Sequence, residues 1–234
     1  MRGTPTRGRS TAATTGHSTA RSDERGALLA EQNRTGYSSG VLATEGVIAR
    51  FRRWYRMAEA AGEPRGDAMA LATLDGRGGV SVRMVLVKQV DERGFVFFTC
   101  RKSRKGKDLA ARARAAATFH WPLITRQVRI EGRVEPVTAA EADDYWSTRP
   151  RGSQLSAAVS RQSQPIGSRA ELARRRASLV RKLRGRPVPR PQEWSGYRIV
   201  PDRIEFWTQR EDRLHHRELF ERSARGWKLT ILQP

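Results

Sequence analysis

The chain has a single cysteine, Cys100, so no internal disulfide can form, and a reducing, cytoplasmic setting is the expectation. It contains no run of 18 apolar residues, which excludes a transmembrane helix of ordinary length. Residues 1–26 lack Val, Ile, Leu, Phe, Trp and Tyr, so they offer no apolar core for a secretory signal and little to bury. Four His and one Cys, with no metal-ligand spacing, leave no zinc motif. There is no P-loop, no G-x-G-x-x-G after a strand, no H-E-x-x-H and no G-x-S-x-G elbow. Lysine is also scarce: six of the 45 basic residues.

What is abundant is arginine. The formal net charge is +21 over 234 residues. Such a charge suits a polyanion partner, but Arg, Ala and Gly together also reflect GC-rich coding. A third use of arginine is to grip small-molecule phosphate through its planar fork. Residues 169–190 hold nine basic side chains and one acidic one, with no aromatic residue among them. That stretch has no platform on which bases could stack, and a solvated helix face accounts for it.

Residues 1–33 read as a disordered basic tail, and the rest as one domain. Ile48–Ala61 has apolar residues on one helical face and ends at Gly62. Strands are expected at 68–74, 80–87, 95–99, 116–121 and 127–134, joined mostly by short turns such as Asp75-Gly76. Capping boxes at Thr138–Glu141 and Ser168–Glu171 open two helices, ending near Thr148 and Leu183. Ser103–Ala113 has helical composition, and strands are expected at 197–200, 203–208 and 227–232. The fold class is therefore mainly β with flanking helices (α+β), the strands forming an antiparallel sheet or small barrel.

Several segments carry chemistry. Arg83 and Lys88 bracket an apolar strand and, five residues apart, emerge on opposite faces. Ser103-Arg104-Lys105-Gly106 opens a helix, where main-chain N–H groups and two cations suit a phosphate. Tyr145 and Arg149 share a helix face, and Ser153 lies past the break at Pro150. Arg213 and His215, two apart, point to one side of an extended segment, and His216 to the other.

In this order R-M-V-L-x-K, F-x-F-x-T, S-R-K-G, F-H-W-P, R-Q-V-R-x-E-G, Y-x-x-x-R-P-x-x-S-Q, S-x-Q-S, W-x-G-Y-R, E-F-W and R-L-H-x-R resemble the pyridoxamine (pyridoxine) 5′-phosphate oxidase family. Arg34-Thr-Gly-Tyr37-Ser-Ser-Gly40 extends the resemblance to residues 34–234. The resemblance implies an FMN-binding split β-barrel that forms a homodimer with FMN at the interface. Residues 185–234 would contribute to the dimer and the substrate site. It implies cofactor contacts from Arg83, Met84, Val85, Leu86, Val87, Lys88, Phe98, Thr99, Arg104, Lys105, Gln127, Gln162, Ser163, Trp207 and Arg217. Substrate contacts would come from Lys88, Tyr145, Arg149 and Ser153 around a phosphate, and from Arg213 and His215 against a pyridine ring. Arg213 and His215 are the catalytic candidates, and Arg34 and Tyr37 would close over the substrate. The implied reaction oxidises pyridoxamine or pyridoxine 5′-phosphate to pyridoxal 5′-phosphate with O2 as acceptor. It needs neither metal, nucleic acid nor membrane. A paralogous flavin oxidase of phenazine-type metabolism and a basic nucleic-acid-binding protein are the alternatives. Phe98, Ser156, Ala158 and Ile231 depart from the family pattern.

Overall fold

The computed structural model describes residues 41, 42 and 44–234. The basic tail, Arg34 and Tyr37 lie outside the described residues. The first long element, helix α1 (Thr44–Ala60), buries Val47, Ile48, Phe51, Trp54 and Ala58 on one face. Gly62 ends it with a φ of 84°, a left-handed turn that glycine adopts without strain.

Two residues of strand β1 (Val41–Leu42) precede α1. Strand β2 (Ala68–Leu74) alternates, burying Met69, Leu71 and Thr73. A turn follows in which Asp75 Oδ1 accepts from the N–H groups of Arg77 and Gly79, at 2.9 and 2.8 Å. Strands β3 (Val80–Asp91) and β4 (Gly94–Cys100) then form a hairpin, with a register shift between Val87 and Gln89. Helix α2 (Arg104–Ala111) leads to β5 (Arg114–Trp121) and, through a short turn, to β6 (Arg126–Pro136).

Helices α3 (Ala139–Thr148), α4 (Arg151–Val159) and α5 (Arg169–Leu183) come next. The capping box expected at Thr138 and Glu141 is formed, and Arg149 leaves helical geometry before Pro150, as the sequence requires. Strands β7 (Trp194–Thr208), β8 (His216–Ser223) and β9 (Gly226–Leu232) complete the order.

Every pairing is antiparallel. β7–β4–β3–β2–β5–β6 closes on itself because β6 also pairs with β7, which gives a six-stranded barrel. β8, β9 and β1 extend outward from β7. The sequence suggested two strands at 197–200 and 203–208. They are one, because β7 runs through Pro201 and takes up its extra residue, Asp202, in a bulge opposite Glu131 and Gly132. A Cβ on Gly132 would overlap the Val200 carbonyl, so this crossing requires glycine.

The main core joins α1 to the barrel. Phe51 meets Phe95, Phe119 and Trp121 at ring distances of 4.8, 5.0 and 5.8 Å. Burial of each such ring contributes about 1.5–3 kcal/mol, so truncating Phe51 removes support from both layers. A smaller core of Trp146, Leu155, Val188 and Trp194 seats α3 and α4 against the end of β4. Outside the barrel, Val80, Val82 and Met84 form an apolar row on β3 that is 62–64% exposed.

Candidate functional site

Helix α2 begins at a tight loop. Ser103 caps it, its Oγ accepting from Gly106 N at 3.3 Å and donating to Cys100 O at 2.6 Å. A Cβ on Gly106 would overlap the Arg101 carbonyl, so the loop closes only with glycine there. The first turn presents Arg104, exposed, and Lys105, buried. Lys105 Nζ donates to Thr99 Oγ1 and Gln162 Oε1, both at 3.1 Å, and Thr99 Oγ1 donates to the same amide oxygen at 3.0 Å. Burial, followed by the nearby Arg83 charge, lowers the Lys105 pKa. Burial likewise lowers that of Arg83; Asp108 opposes the shift and Arg104 adds to it. Three cations beside a helix N-terminus form a donor set that fits a phosphate. Ser163, next to Gln162, is exposed with a φ of 68°.

Of the remaining β3 residues expected at the cofactor, Met84 is exposed and Leu86 half-buried. Val85 and Val87 pack into the barrel core, so a cofactor role for these two rests on their main chain. Lys88 sits at the register shift and donates to Asp67 Oδ2 at 2.7 Å. Burial works against the Asp67 carboxylate, but Lys88 and Arg65 outweigh it and lower its pKa. Lys88 lines a cavity of about 290 Å³ with Phe51 and Tyr55, which shares no residue with the cavity around Arg149.

The second cationic site lies on the helices. Tyr145 stacks on Phe98 at 4.1 Å, and Phe98 on Trp194 at 5.5 Å. The Arg149 guanidinium lies 4.6 Å from the Trp194 ring and 5.1 Å from that of Trp146. Its Nη2 donates to Ser153 O at 3.3 Å, while its Nη1 is buried with no hydrogen-bond partner among the described residues. Burial lowers its pKa. Such an orphan donor costs about 1–3 kcal/mol unless a ligand supplies the acceptor. A cavity of about 430 Å³ beside this site is lined by Phe98, Arg149, Ser153 and Trp194 among others, and by Thr99 and Gln162, the two acceptors of Lys105. The sequence reading assigned no role to Trp194; its only signal was the W-x-G-Y-R segment.

A third group forms at the other end of β7. Gln127 on β6 is opposite Trp207, which is opposite Arg217 on β8. Gln127 Oε1 accepts from Arg129 Nε at 2.8 Å. Arg217 is held bidentately by Glu205, at 2.7 and 3.2 Å. The His215 ring lies 4.7 Å from that of Trp207, and its Nδ1 accepts from Arg210 N at 3.2 Å. Trp207, Arg213 and His215 line one cavity.

The extended geometry expected from Arg213 onward is not found. Arg213 has a φ of 65°, His215 N donates back to its carbonyl at 2.9 Å, and Leu214 N donates to Asp212 Oδ1. An Asx turn therefore brings Arg213 and His215 to one cavity, and β8 starts only at His216. His216 is 3.9 Å from Glu218 instead. Among the residues that depart from the family pattern, Phe98 is part of the aromatic stack. Ser156 bonds back to Gly152 O, Ala158 packs on the smaller core, and Ile231 is exposed.

Trp194 and Trp207 stand at opposite ends of β7, roughly 43 Å apart along an extended strand at about 3.3 Å per residue. Arg149 and His215 line two cavities that share no residue.

Comparison with known proteins gives a consistent picture. The family model described as pyridoxamine 5′-phosphate oxidase matches residues 59–181. A second, described as the pyridoxine 5′-phosphate oxidase C-terminal dimerisation region, matches residues 194–234. A pyridoxine/pyridoxamine 5′-phosphate oxidase from Anaeromyxobacter dehalogenans is 52% identical over 187 residues, 80% of this chain and 94% of that relative. One from Rubrobacter xylanophilus is 49% identical over 205 residues, covering 86% and 94%. Among solved structures, PhzG from Burkholderia lata 383, in complex with tetrahydrophenazine-1-carboxylic acid, superposes with a TM-score of 0.76 at 34% identity. That match covers 85% of this chain and all of the other. A Nostoc punctiforme protein, at TM-score 0.63 and 15% identity, shares the fold; the match covers 83% of this chain and 100% of that one.

Proposed function

Because the chain belongs to the pyridoxamine 5′-phosphate oxidase family, we propose that it oxidises pyridoxamine or pyridoxine 5′-phosphate to pyridoxal 5′-phosphate, with FMN as cofactor and O2 as acceptor. The observation that carries this reading is a pair of cationic sites flanking one cavity, which Arg149 lines on one side and Thr99 and Gln162, the acceptors of Lys105, line on the other, since both ligands bear a phosphate. Lys105, Arg104 and Arg83 at the N-terminus of α2 hold the FMN phosphate, with Thr99 and Gln162 beside it. Arg149, with its orphan N–H, and Ser153 and Tyr145 hold the substrate phosphate. FMN, when bound, supplies the electron-accepting chemistry, taking two electrons from the substrate C4′–H bond and passing them to O2.

Arg213 and His215 address the substrate ring from a second copy of the chain, because within one copy they line a cavity separate from that of Arg149, at the other end of β7. The matched dimerisation region and the exposed Val80, Val82 and Met84 row support that homodimer. Residues 34–234 act as one oxidase domain.

The test is the purified protein's visible spectrum, followed by anaerobic flavin reduction. A yellow protein bleached by pyridoxine phosphate is expected. A colourless protein that takes up no added FMN refutes the cofactor assignment. Reduction by tetrahydrophenazine-1-carboxylic acid alone moves the substrate to the class bound by the Burkholderia lata relative.

A further inference from the structure

One buried carboxylate near the α2 cations remains without a role. Asp108 lies on α2 one turn beyond Arg104 and Lys105, and is 5% exposed. Its Oδ2 accepts from Thr73 Oγ1 at 2.7 Å and from Ser81 Oγ at 3.1 Å. Both hydroxyls in turn accept from Arg83. Nη1 donates to Thr73 Oγ1 at 2.6 Å and to Leu71 O at 3.1 Å, and Nη2 donates to Ser81 Oγ. The direct separation between Arg83 Nη2 and Asp108 Oδ2 is 3.6 Å, beyond hydrogen-bond reach.

The donor inventory fixes the direction of these bonds. A hydroxyl has one proton and two lone pairs. With both protons drawn to the acceptor-only carboxylate, both sets of lone pairs face the guanidinium. Three of the five Arg83 N–H groups are then occupied and two remain for a ligand. Asp108 comes from the helix that carries Arg104 and Lys105, whereas Thr73, Ser81 and Arg83 come from β2 and β3. The carboxylate thus ties together the two halves of the phosphate site.

We propose that Asp108 is a positioning residue for the cofactor phosphate, holding Arg83 through the hydroxyls of Thr73 and Ser81. This rests on the reading of Arg83 as an FMN-phosphate ligand. The test is FMN affinity, read by flavin fluorescence quenching on refolded or FMN-stripped dimer, for Arg83→Ala, Asp108→Ala, Asp108→Asn and the Arg83→Ala/Asp108→Ala double variant. Arg83→Ala tests the underlying reading alone: an unchanged Kd refutes Arg83 as a ligand. Asp108→Ala raises the Kd about tenfold or more, as expected for loss of a buried charge-assisted network. Asp108→Asn keeps an acceptor for both hydroxyls and stays within about threefold of the parent. In the Arg83→Ala background, Asp108→Ala adds less than about threefold, because the two act as one unit.

An unchanged Kd in Asp108→Ala overturns the proposal. So does an equal loss with and without Arg83, or an Asn variant as weak as the Ala variant. If Asp108→Ala does not fold, the Thr73→Val/Ser81→Ala pair cuts the same relay at its middle. That pair is expected to reproduce the tenfold loss, and retention of full affinity again overturns the proposal.

Discussion

The two cationic sites are held by opposite means. On the barrel wall, Arg83 and Lys105 are fixed by hydrogen bonds to Leu71 O and to the side chains of Thr73, Ser81, Thr99 and Gln162. On the helices, Arg149 packs against the T-shaped pair of Trp146 and Trp194, with one weak bond to Ser153 O and a buried nitrogen unpaired among the described residues. Polar clamping fixes a cation in one place and leaves a minority of its donors free, which suits a resident group. Aromatic clamping orients the guanidinium plane while its donors stay unspent, which suits a ligand that must enter and leave at every turnover.

The largest expected effect breaks the helical site. Arg149→Ala raises the KM for pyridoxine phosphate about 10- to 100-fold, the worth of a charge-assisted contact, while the protein stays yellow. Arg149→Lys recovers little, because an ammonium has no planar fork to stack on an indole and grip a phosphate at once. Steady-state kinetics at saturating FMN measure both. Next, Lys105→Ala weakens FMN about tenfold and leaves that KM unchanged once FMN is saturating. If each variant disturbed both ligands equally, the contrast between the sites would fail.

A smaller effect sharpens it. Trp194→Phe keeps an aromatic face under Arg149 but a poorer one, and raises KM about threefold without changing FMN affinity.

The smallest concerns the mounting of α3, which carries Tyr145. Glu141 accepts from Thr138 N at 2.8 Å and from Arg198 and Arg93 at 3.0 and 3.1 Å. The Thr138 N–H, followed by those side chains against some burial, pulls its pKa from 4.5 down to about 2. A depressed carboxylate contributes stability that is present above its unfolded pKa and lost as pH falls through its folded one. Glu141→Gln should therefore melt a few degrees below the parent at pH 7, and the gap should close between pH 4.5 and 2. Thermal unfolding at pH 7 and pH 3 gives the comparison, and a gap that widened on acidification would refute it.

Most of the barrel was legible because its strands alternate and its turns carry Asp, Gly and Pro. Helix α4 was not, since Arg151-Gly-Ser-Gln begins with no capping side chain and has glycine at its second position. β8 was missed because His216-Arg-Glu-Leu-Phe-Glu-Arg has only Leu219 and Phe220 to mark it, and Glu218 is buried by pairing with Arg50. Pro201 hid the continuity of β7. At the site, the SRKG and Tyr145–Arg149 segments stood out through charge and spacing. The closure of β6 on β7, the Lys105–Gln162 bond and the grip of Trp194 on Arg149 join residues far apart in sequence, which local pattern does not report. Asp108 carried a local signal, an acid one turn beyond two cations, that was legible but unread.

The length of β7 has a genetic consequence. On the proposed roles, a chain lacking Arg149 and a chain lacking Arg213 are each impaired as homodimers at low substrate, but the defects lie at opposite ends of one strand. In a mixed dimer with sites shared between copies, one site collects both lesions and the other collects none. Random exchange makes about half the dimers mixed, so combining the two impaired proteins should restore roughly a quarter of the parental activity at low substrate. Two such impaired alleles would then complement each other in one cell, whereas two alleles damaged at the same end of β7 would not.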